Sequence, residues 1–549
     1  SIPLTCTEVW LKGGSEVLAS DELSVISSVS VGKGMVAVSM YDFVDIEEFC
    51  QANISYIDNL FTTLLGEDKI NGLASAMDGS TSSQFWSVQG LINTGNINNL
   101  PKVGLYVTLA VAYVALAGPG LYFFWKQRGM RQYYQLSVGI LSLCCTGMVL
   151  LMGMSTRFTG PFFTYATIKD TDRDEISETT FINMRAPYNK PYSVTLNPEY
   201  TLYPLTGSAY YNMGPLPKFT GEETPSITIH YDDEGTRVRS DNVGAFNSKF
   251  FMMERRMENG QQEGFTGDVN SFDGKVTGTL TNNYGQEVDN VAILLYNQMI
   301  LIGHMEPGET VSLDGMKVIY GITNFGYAMA EQITGASRYK EDKDIRDAAY
   351  VQALERTNLL SFYMGNYLSG YHSEARVLGF SNEKEETGFL KSSNYETYGS
   401  TLLTSSIDVN YEQDGMIYKS ALQKQPNVLS GEYYASNNSM YGLTPVMLEY
   451  YLGNDIEVEK LSFHQMSDEV VQSMRYYYTV PFAGNMYFYN YNTGTYDSMD
   501  THVQSYDREA LEPYLSPGNT LTIKYVYDAT GDYTWNIMLP ILTVTGRSK

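Results

Sequence analysis

A catalytic or metal centre in this 549-residue chain would have to be built from five histidines, four cysteines and a large stock of acids. His230, His304, His372, His464 and His502 stand far apart in sequence. No His-Glu-x-x-His or Cys-x-x-Cys pairing supplies two ligands at zinc spacing. No Gly-x-Ser-x-Gly elbow presents a nucleophile. The chain is therefore expected to be non-enzymatic, with no metal and no cofactor, although spacing alone leaves open a catalytic carboxylate pair of the glycosidase kind. Asp170-Thr-Asp172-Arg-Asp174-Glu175 begins like a calcium loop. A helix-loop-helix calcium site needs Gly at the sixth position and Glu at the twelfth, where Glu175 and Phe181 stand. The run leaves two readings, a calcium ion between Asp170, Asp172 and Asp174 or a plain solvated turn. His230 to Gly235 reads as an acidic hairpin turn. Gly32-Lys33-Gly34 precedes an apolar run, whereas phosphate cradles follow a strand and open a helix, so it too reads as a hairpin turn.

The run Met486 to Tyr491 carries a different chemistry. Alternation places Tyr487, Tyr489 and Tyr491 on one face of a strand. A row of aromatic rings with hydroxyl tips can stack on sugars or grip a protein partner, or it can be one half-buried face of a sandwich.

The elements that hold these residues follow from composition and pattern. With 36 basic against 62 acidic residues the net charge is −26, which repels nucleic acid, since phosphate binding needs clustered cations. Charged residues are only 18% and aromatics 13%, a balance that suits β-rich domains and not a disordered chain. Two uncharged runs, Val103 to Trp125 and Gln132 to Thr156, exceed the roughly 20 residues a helix needs to cross a bilayer. Pro119, between Gly118 and Gly120, is expected to kink the first. Lys126, Arg128 and Arg131 lie in the short link between them, beside Phe123, Phe124, Trp125, Tyr133 and Tyr134. Positive charge in a short loop stays in the cytoplasm and aromatic belts mark the interface, so the loop 126–131 is expected inside and both flanks outside. Removing the four cations and no acids of residues 101–156 from −26 leaves −30 on the exterior portion. An exterior amino terminus implies export, and residues 1–100 hold no signal segment, so the chain is expected to be a piece of a longer precursor. Cys144 and Cys145 fall inside the second span. Cys6 and Cys50 share the first exterior segment, as free thiols or as a disulfide.

The expected architecture is a multidomain membrane protein. Residues 1–100 read as a partial α/β exterior segment, with strands at Glu8 to Leu11, Leu23 to Val31 and Met35 to Tyr41 and a helix from Ile46 to Leu65. Residues 101–156 form the transmembrane hairpin. Residues 157–322 and 373–549 read as two mainly-β, immunoglobulin-like sandwich domains, with turns every 8 to 12 residues. Residues 323–372 read as a helical connector. A short repeat links the two β regions: Met305-Glu-Pro-Gly-Glu-Thr-Val-Ser-Leu313 matches Leu515-Ser-Pro-Gly-Asn-Thr-Leu-Thr-Ile523. Both copies predict a type II Pro-Gly turn leading into a strand.

Three stretches carry a resemblance. They are Gly32-Lys-Gly34 with its strand to Phe43, Ala117-Gly-Pro-Gly-Leu-Tyr122 with the basic loop Lys126 to Arg131, and Gly278-Thr-Leu-Thr-Asn282 leading to Glu306-Pro-Gly-Glu309. Together they resemble functionally uncharacterised bacterial integral-membrane proteins of Gram-positive type. In these an exterior glutamine-amidotransferase-like α/β domain precedes a membrane helix pair and exterior β-sandwich segments. The resemblance implies an envelope location and no catalytic residue. The chain is thus expected to be a membrane-anchored extracellular structural or interaction protein of the cell envelope. Its partners would be the lipid bilayer and other envelope or membrane proteins, with no nucleic acid. The alternative is an extracellular module that binds wall polysaccharide or peptide.

Overall fold

The computed structural model describes residues 5–7, 9, 11–20, 23–32, 34–53, 55–66, 69–70, 87–92, 103–154, 160–205, 227–241, 244–321, 326–337, 347–368, 375–381, 388–391, 395–435, 437–441, 444–474, 479–501, 503–528 and 536–549. The first segment is an antiparallel meander of strands Ser15–Ser20, Leu23–Val31 and Gly34–Ser39. Gly32 turns the second hairpin at φ +60, a backbone region that costs glycine little. The glycine pair therefore serves a turn. The strand expected at Glu8 to Leu11 is absent from its described residues, Val9 and Leu11, and the first strand lies at Ser15–Ser20 instead. The expected single helix is two, Glu47–Ala52 and Tyr56–Leu65, with Asn53 ending the first. Val25, Ile26, Tyr41, Ile46 and Leu60 form the core of this piece, and Cys6 and Cys50 pack against it as free thiols.

Two helices long and apolar enough to cross a membrane follow, Gly104–Gln127 and Arg131–Gly153, and neither apolar stretch is buried. At about 1.5 Å per residue they rise about 36 and 34 Å, more than a hydrocarbon core of about 30 Å. Soluble proteins do not leave such surface bare. Leu143 is 78% exposed and Leu151 67%, so neither helix is covered by the β portion. Pro119 produces a π-turn over Leu116–Gly120: it cannot donate to the carbonyl four residues back, and the ladder widens so that Leu121 bonds Leu116.

The β portion is organised by a nine-stranded sheet. Its order is Val318–Tyr320, Gln298–Met305, Val288–Leu295, Ala375–Ser381, Glu396–Ile407, Phe162–Thr171, Glu175–Arg185, Lys249–Glu258 and Thr201–Leu205. Successive side chains point to opposite faces, and the hydrophobic clusters alternate with them. Val291, Ile293 and Leu295 pack with Val269, Val276 and Leu280 of a four-stranded sheet, while Ala292 and Leu294 face the other way. At the far end Phe163, Ile182 and Met184 pack with Val194 and Val238 of a small three-stranded sheet. One face of the large sheet is thus covered by two smaller sheets. The opposite face takes the helices Gly326–Thr334 and Ala348–Asn366 and the helical residues 87–92, where Val88, Leu91 and Ile92 are buried.

This sheet crosses the expected division at residue 373. Strands Ala375–Ser381 and Glu396–Ile407 pair with Val288–Leu295 and Phe162–Thr171, so they belong with the first β unit. Alternation along a strand carries no information about its partner, and the pairing with Phe162–Thr171 is parallel across more than 200 residues. The second unit begins near residue 412. Two five-stranded sheets face each other there, one containing Ile456–His464 and Ile541–Ser548, the other Thr520–Tyr527 and Gly484–Asn490. Phe463 of one meets Phe488 of the other with centroids 6.0 Å apart. The two units share one core cluster. Their seam includes Gln298 to Tyr418 at 3.3 Å, Lys460 to Asp273 at 2.9 Å, and the pair of bonds between Tyr320 and Ser467.

The two Pro-Gly copies diverge. Gly308 has φ +73 at the third position of its turn, as a type II turn requires. In the second copy the positive φ falls on Asn519, at +54, and Gly518 is not left-handed. Ser516 accounts for the change, since its Oγ accepts from the backbone N–H groups of Gly518 and Thr520. The first turn leads the chain to the four-stranded sheet opposite, whereas the second leads to a strand in the same sheet as the hairpin before it. The repeat is one of local turn chemistry and not of topology.

Candidate functional site

The tyrosine row lies on the strand Gly484–Asn490, between Thr520–Tyr527 on one side and Thr495–Met499 on the other. Met486 and Phe488 point inward and are buried, which leaves Tyr487 and Tyr489 half-buried on the outward face. The strand ends at Asn490, because its side-chain carbonyl accepts from the backbone of Asn492 and Thr493 and starts a turn. Tyr491 is carried past the end, yet its hydroxyl lies 3.2 Å from Thr520 Oγ1 and 3.4 Å from Thr522 Oγ1, so it stays on the same side.

Pairing adds residues that the row alone does not reveal. Tyr496 lies opposite Tyr489, and Lys524 opposite Tyr487. Met447 lies across the sheet beyond Lys524. The Tyr489 and Tyr491 rings meet edge to face at 5.0 Å and 90°, and Tyr489 meets Tyr496 at 5.3 Å and 63°. The Tyr496 hydroxyl reaches Met447 Sδ at 3.3 Å, and the Lys524 ammonium lies 6.0 Å from the Tyr496 ring centroid. Burial first, then the neighbouring Tyr489 and Tyr491, raise the Tyr496 pKa, so the Tyr496 hydroxyl stays a neutral donor at physiological pH. The rings are crossed and not coplanar. They make an uneven aromatic cluster with polar edges, not a flat platform for successive sugar rings.

The link between the two apolar helices is equally definite. Arg128 lies 4.4 Å over the Phe124 ring, and Lys126 lies 6.0 Å from both Tyr122 and Phe123. Arg131 opens the second helix. The Trp125 indole donates to Ser137 at 2.9 Å, and the Tyr134 hydroxyl donates to the Ala117 carbonyl inside the π-turn at 2.9 Å. Cations and aromatic rings thus cluster at one end of the pair, an arrangement suited to a headgroup layer.

The acids of residues 170–175 do not converge. Asp170 is paired with Arg376 at 2.5 Å, and Asp172 accepts from Ser406 at 2.6 Å. Among the described residues, Asp170, Asp172 and Asp174 do not form a group of ligand atoms within 4.8 Å of one another. His230 stands alone on its hairpin strand, and His372 and His502 lie outside the described residues. His464 is stacked on Tyr320 with centroids 4.4 Å apart and planes 8° apart, a packing role. Sequence spacing missed one group altogether: ligand atoms of Glu287, His304 and Glu306 all lie within 4.8 Å of one another.

Residues 264–410 match a family described as a domain of unknown function (DUF8725). That span opens with the strand Phe265–Phe272 and ends with Val409–Asn410, which pair with each other, so the match closes on a structural unit. No curated protein matches the chain. Among solved structures, the yeast delta-COP-I mu-homology domain aligns at 10% identity over 46% of this chain and 98% of that chain, with a TM-score of 0.23. The same yeast domain complexed with the Dsl1 WxWxV peptide aligns at 8% identity over the same shares, with a TM-score of 0.24. At such scores the likeness carries no argument about fold or binding, and what this chain is similar to over residues 264–410 is a family without an assigned function.

Proposed function

We propose that this chain is a membrane-anchored interaction protein of a cell envelope, non-enzymatic, with its β portion outside and the loop 126–131 inside. The observation that carries the reading is the helix pair, whose apolar side chains are uncovered along both spans while the β portion buries its own in core clusters. Lipid is the solvent that removes this exposure cost. The three loop cations support the orientation. The crossed tyrosine cluster around Tyr487, Tyr489, Tyr491 and Tyr496 supports recognition of a protein surface, where aromatic anchors dominate binding energy. A wall polysaccharide or peptide ligand is the second reading; the polar edges of the same cluster favour it, and the absence of a coplanar ring row weighs against an extended glycan.

Affinity capture of the full chain in mild detergent, alongside retention on isolated cell wall, separates the two. A stoichiometric protein partner lost on Tyr489→Ala supports the first reading. Wall retention with no protein partner replaces it with the second. Turnover of peptidoglycan or model glycosides by the purified chain, abolished by a single Asp→Asn or Glu→Gln change, would overturn the non-enzymatic assignment.

A further inference from the structure

We infer that Glu287, His304 and Glu306 form a binding site for a divalent transition-metal cation of the zinc class. The site is built by register. Val288 pairs with Met305 across an antiparallel hairpin; Glu287 and Glu306 lie just beyond that pair, and Asp289 and His304 lie on its other side, where the register shifts, joined by the contact between His304 Nδ1 and Asp289 Oδ1. Residues two apart on a strand share a face, so all four side chains rise from one side of the hairpin.

The chemistry of the four groups divides cleanly. His304 Nδ1 lies 2.7 Å from Asp289 Oδ1, and the other oxygen of Asp289 lies 3.6 Å from the guanidinium of buried Arg356. An Asp held charged by arginine accepts from the ring, so Nδ1 carries the hydrogen and Nε2 is the nitrogen left to bind. Nε2 faces Glu306 Oε1 at 3.3 Å. Two ligands on a tetrahedral ion with bonds of about 2.0 Å stand roughly 3.3 Å apart, so this pair is at coordination distance. Glu287 supplies the third donor within the same sphere. A carboxylate behind the distal ring nitrogen fixes ring and tautomer, as in metal centres where Asp, His and metal stand in line.

Charge points the same way. Like charges directly opposite across two strands repel, and Glu287 and Glu306 are so placed with Glu309 nearby, its carboxylate accepting from the Glu306 N–H at 2.7 Å. Arg356 is committed to Asp289 at 3.6 Å and to Asn290 at 2.7 Å. In this hairpin the register shifts between Val288 and Val291, with Asn290 at φ +53, so the regular ladder breaks within the group. The three ligand side chains are exposed, which leaves the fourth coordination position to water or to a donor from another molecule. One imidazole with two carboxylates favours zinc-class ions over calcium or magnesium, which take oxygen ligands in larger number.

The test is isothermal titration calorimetry of the full chain in detergent, purified without a histidine tag, with zinc chloride. One zinc per chain is expected at micromolar concentration, weakened at least tenfold by His304→Ala and by Glu287→Gln, with calcium and magnesium giving no saturable heat under the same conditions. Circular dichroism melts of both metal-free variants should match the parent, and Glu287→Gln at an exposed position keeps the test valid should His304→Ala alter the hairpin. No saturable zinc heat, zinc binding unchanged in both variants, or calcium bound as tightly as zinc overturns the assignment.

Discussion

His464 gives a direct measure of the seam between the two β units. It ends the strand Ile456–His464, lies against Tyr320 of the first unit, and places Nε2 2.8 Å from Thr543 Oγ1. Burial lowers its pKa from 6.5 to about 4, with Asp273 acting to raise it and Lys460 to lower it. The unfolded chain protonates near the ordinary value, so between about pH 6.5 and 4 the unfolded state binds one proton more than the folded state. Stability from this group is complete above the unfolded value, declines as pH falls, and is gone below the folded one. A shift from 6.5 to about 4 at about 1.4 kcal/mol per unit corresponds to about 3.5 kcal/mol as an upper bound. His464→Gln keeps a hydrogen-bonding side chain for Thr543 and removes the titration. Unfolding free energies of parent and variant, from urea titrations of the full chain in detergent at pH 7, 6, 5 and 4, should diverge in slope. The parent should lose stability more steeply below pH 6.5, by up to about 1.4 kcal/mol per pH unit, while the variant is flatter. Parallel slopes from pH 7 to 4 would refute the buried, neutral histidine and with it the packed seam.

Other outcomes follow from packing and turn geometry. Phe488→Ala removes a ring with no exposure at the centre of the second unit and should cost about 3 to 5 kcal/mol in the same urea titration, whereas Tyr487→Ala on the outward face should cost clearly less. Gly308→Ala should destabilise by about 1 kcal/mol because its φ is positive, while Gly518→Ala should be close to neutral and Asn519→Ala mildly destabilising. Glu178→Gln leaves Arg255, bonded to Glu178 at 2.6 Å and lying 4.5 Å over the Tyr200 ring, with a largely buried charge short of its partner. It should lower the thermal midpoint more than changing the exposed Glu199 to Gln.

The sequence is most legible where one local signal decides the outcome. Uncharged length alone marks the two apolar helices, and Pro119 marks the irregular turn in the first, because both signals lie within the segment itself. Alternation puts Tyr487 and Tyr489 on one face, and burial of Met486 and Phe488 decides that this face is the outward one. Pairing is another matter. The parallel match of Glu396–Ile407 with Phe162–Thr171 depends on contacts across more than 200 residues, so the boundary at 373 could not be read from pattern. The Pro-Gly repeat misled for a related reason: the same nine-position pattern tolerates a turn set by Gly308 or one set by Ser516 and Asn519. Glu287, His304 and Glu306 escaped a search for helical ligand spacing because a hairpin, and not a helix, brings them together. Fixing one pair of the hairpin, Val288 with Met305, would have brought Glu287 beside Glu306 and exposed the cluster.

The membrane orientation is the claim on which the functional account depends, and accessible cysteines read it most directly. In a background with Cys6, Cys50, Cys144 and Cys145 changed to Ser, single cysteines at Gly129 in the loop and at Ser498 on the outward sheet face are probed on intact cells with a membrane-impermeant maleimide. The account predicts labelling at Ser498→Cys, and none at Gly129→Cys until the cells are opened. Efficient labelling of Gly129→Cys on intact cells, with Ser498→Cys protected, would contradict it.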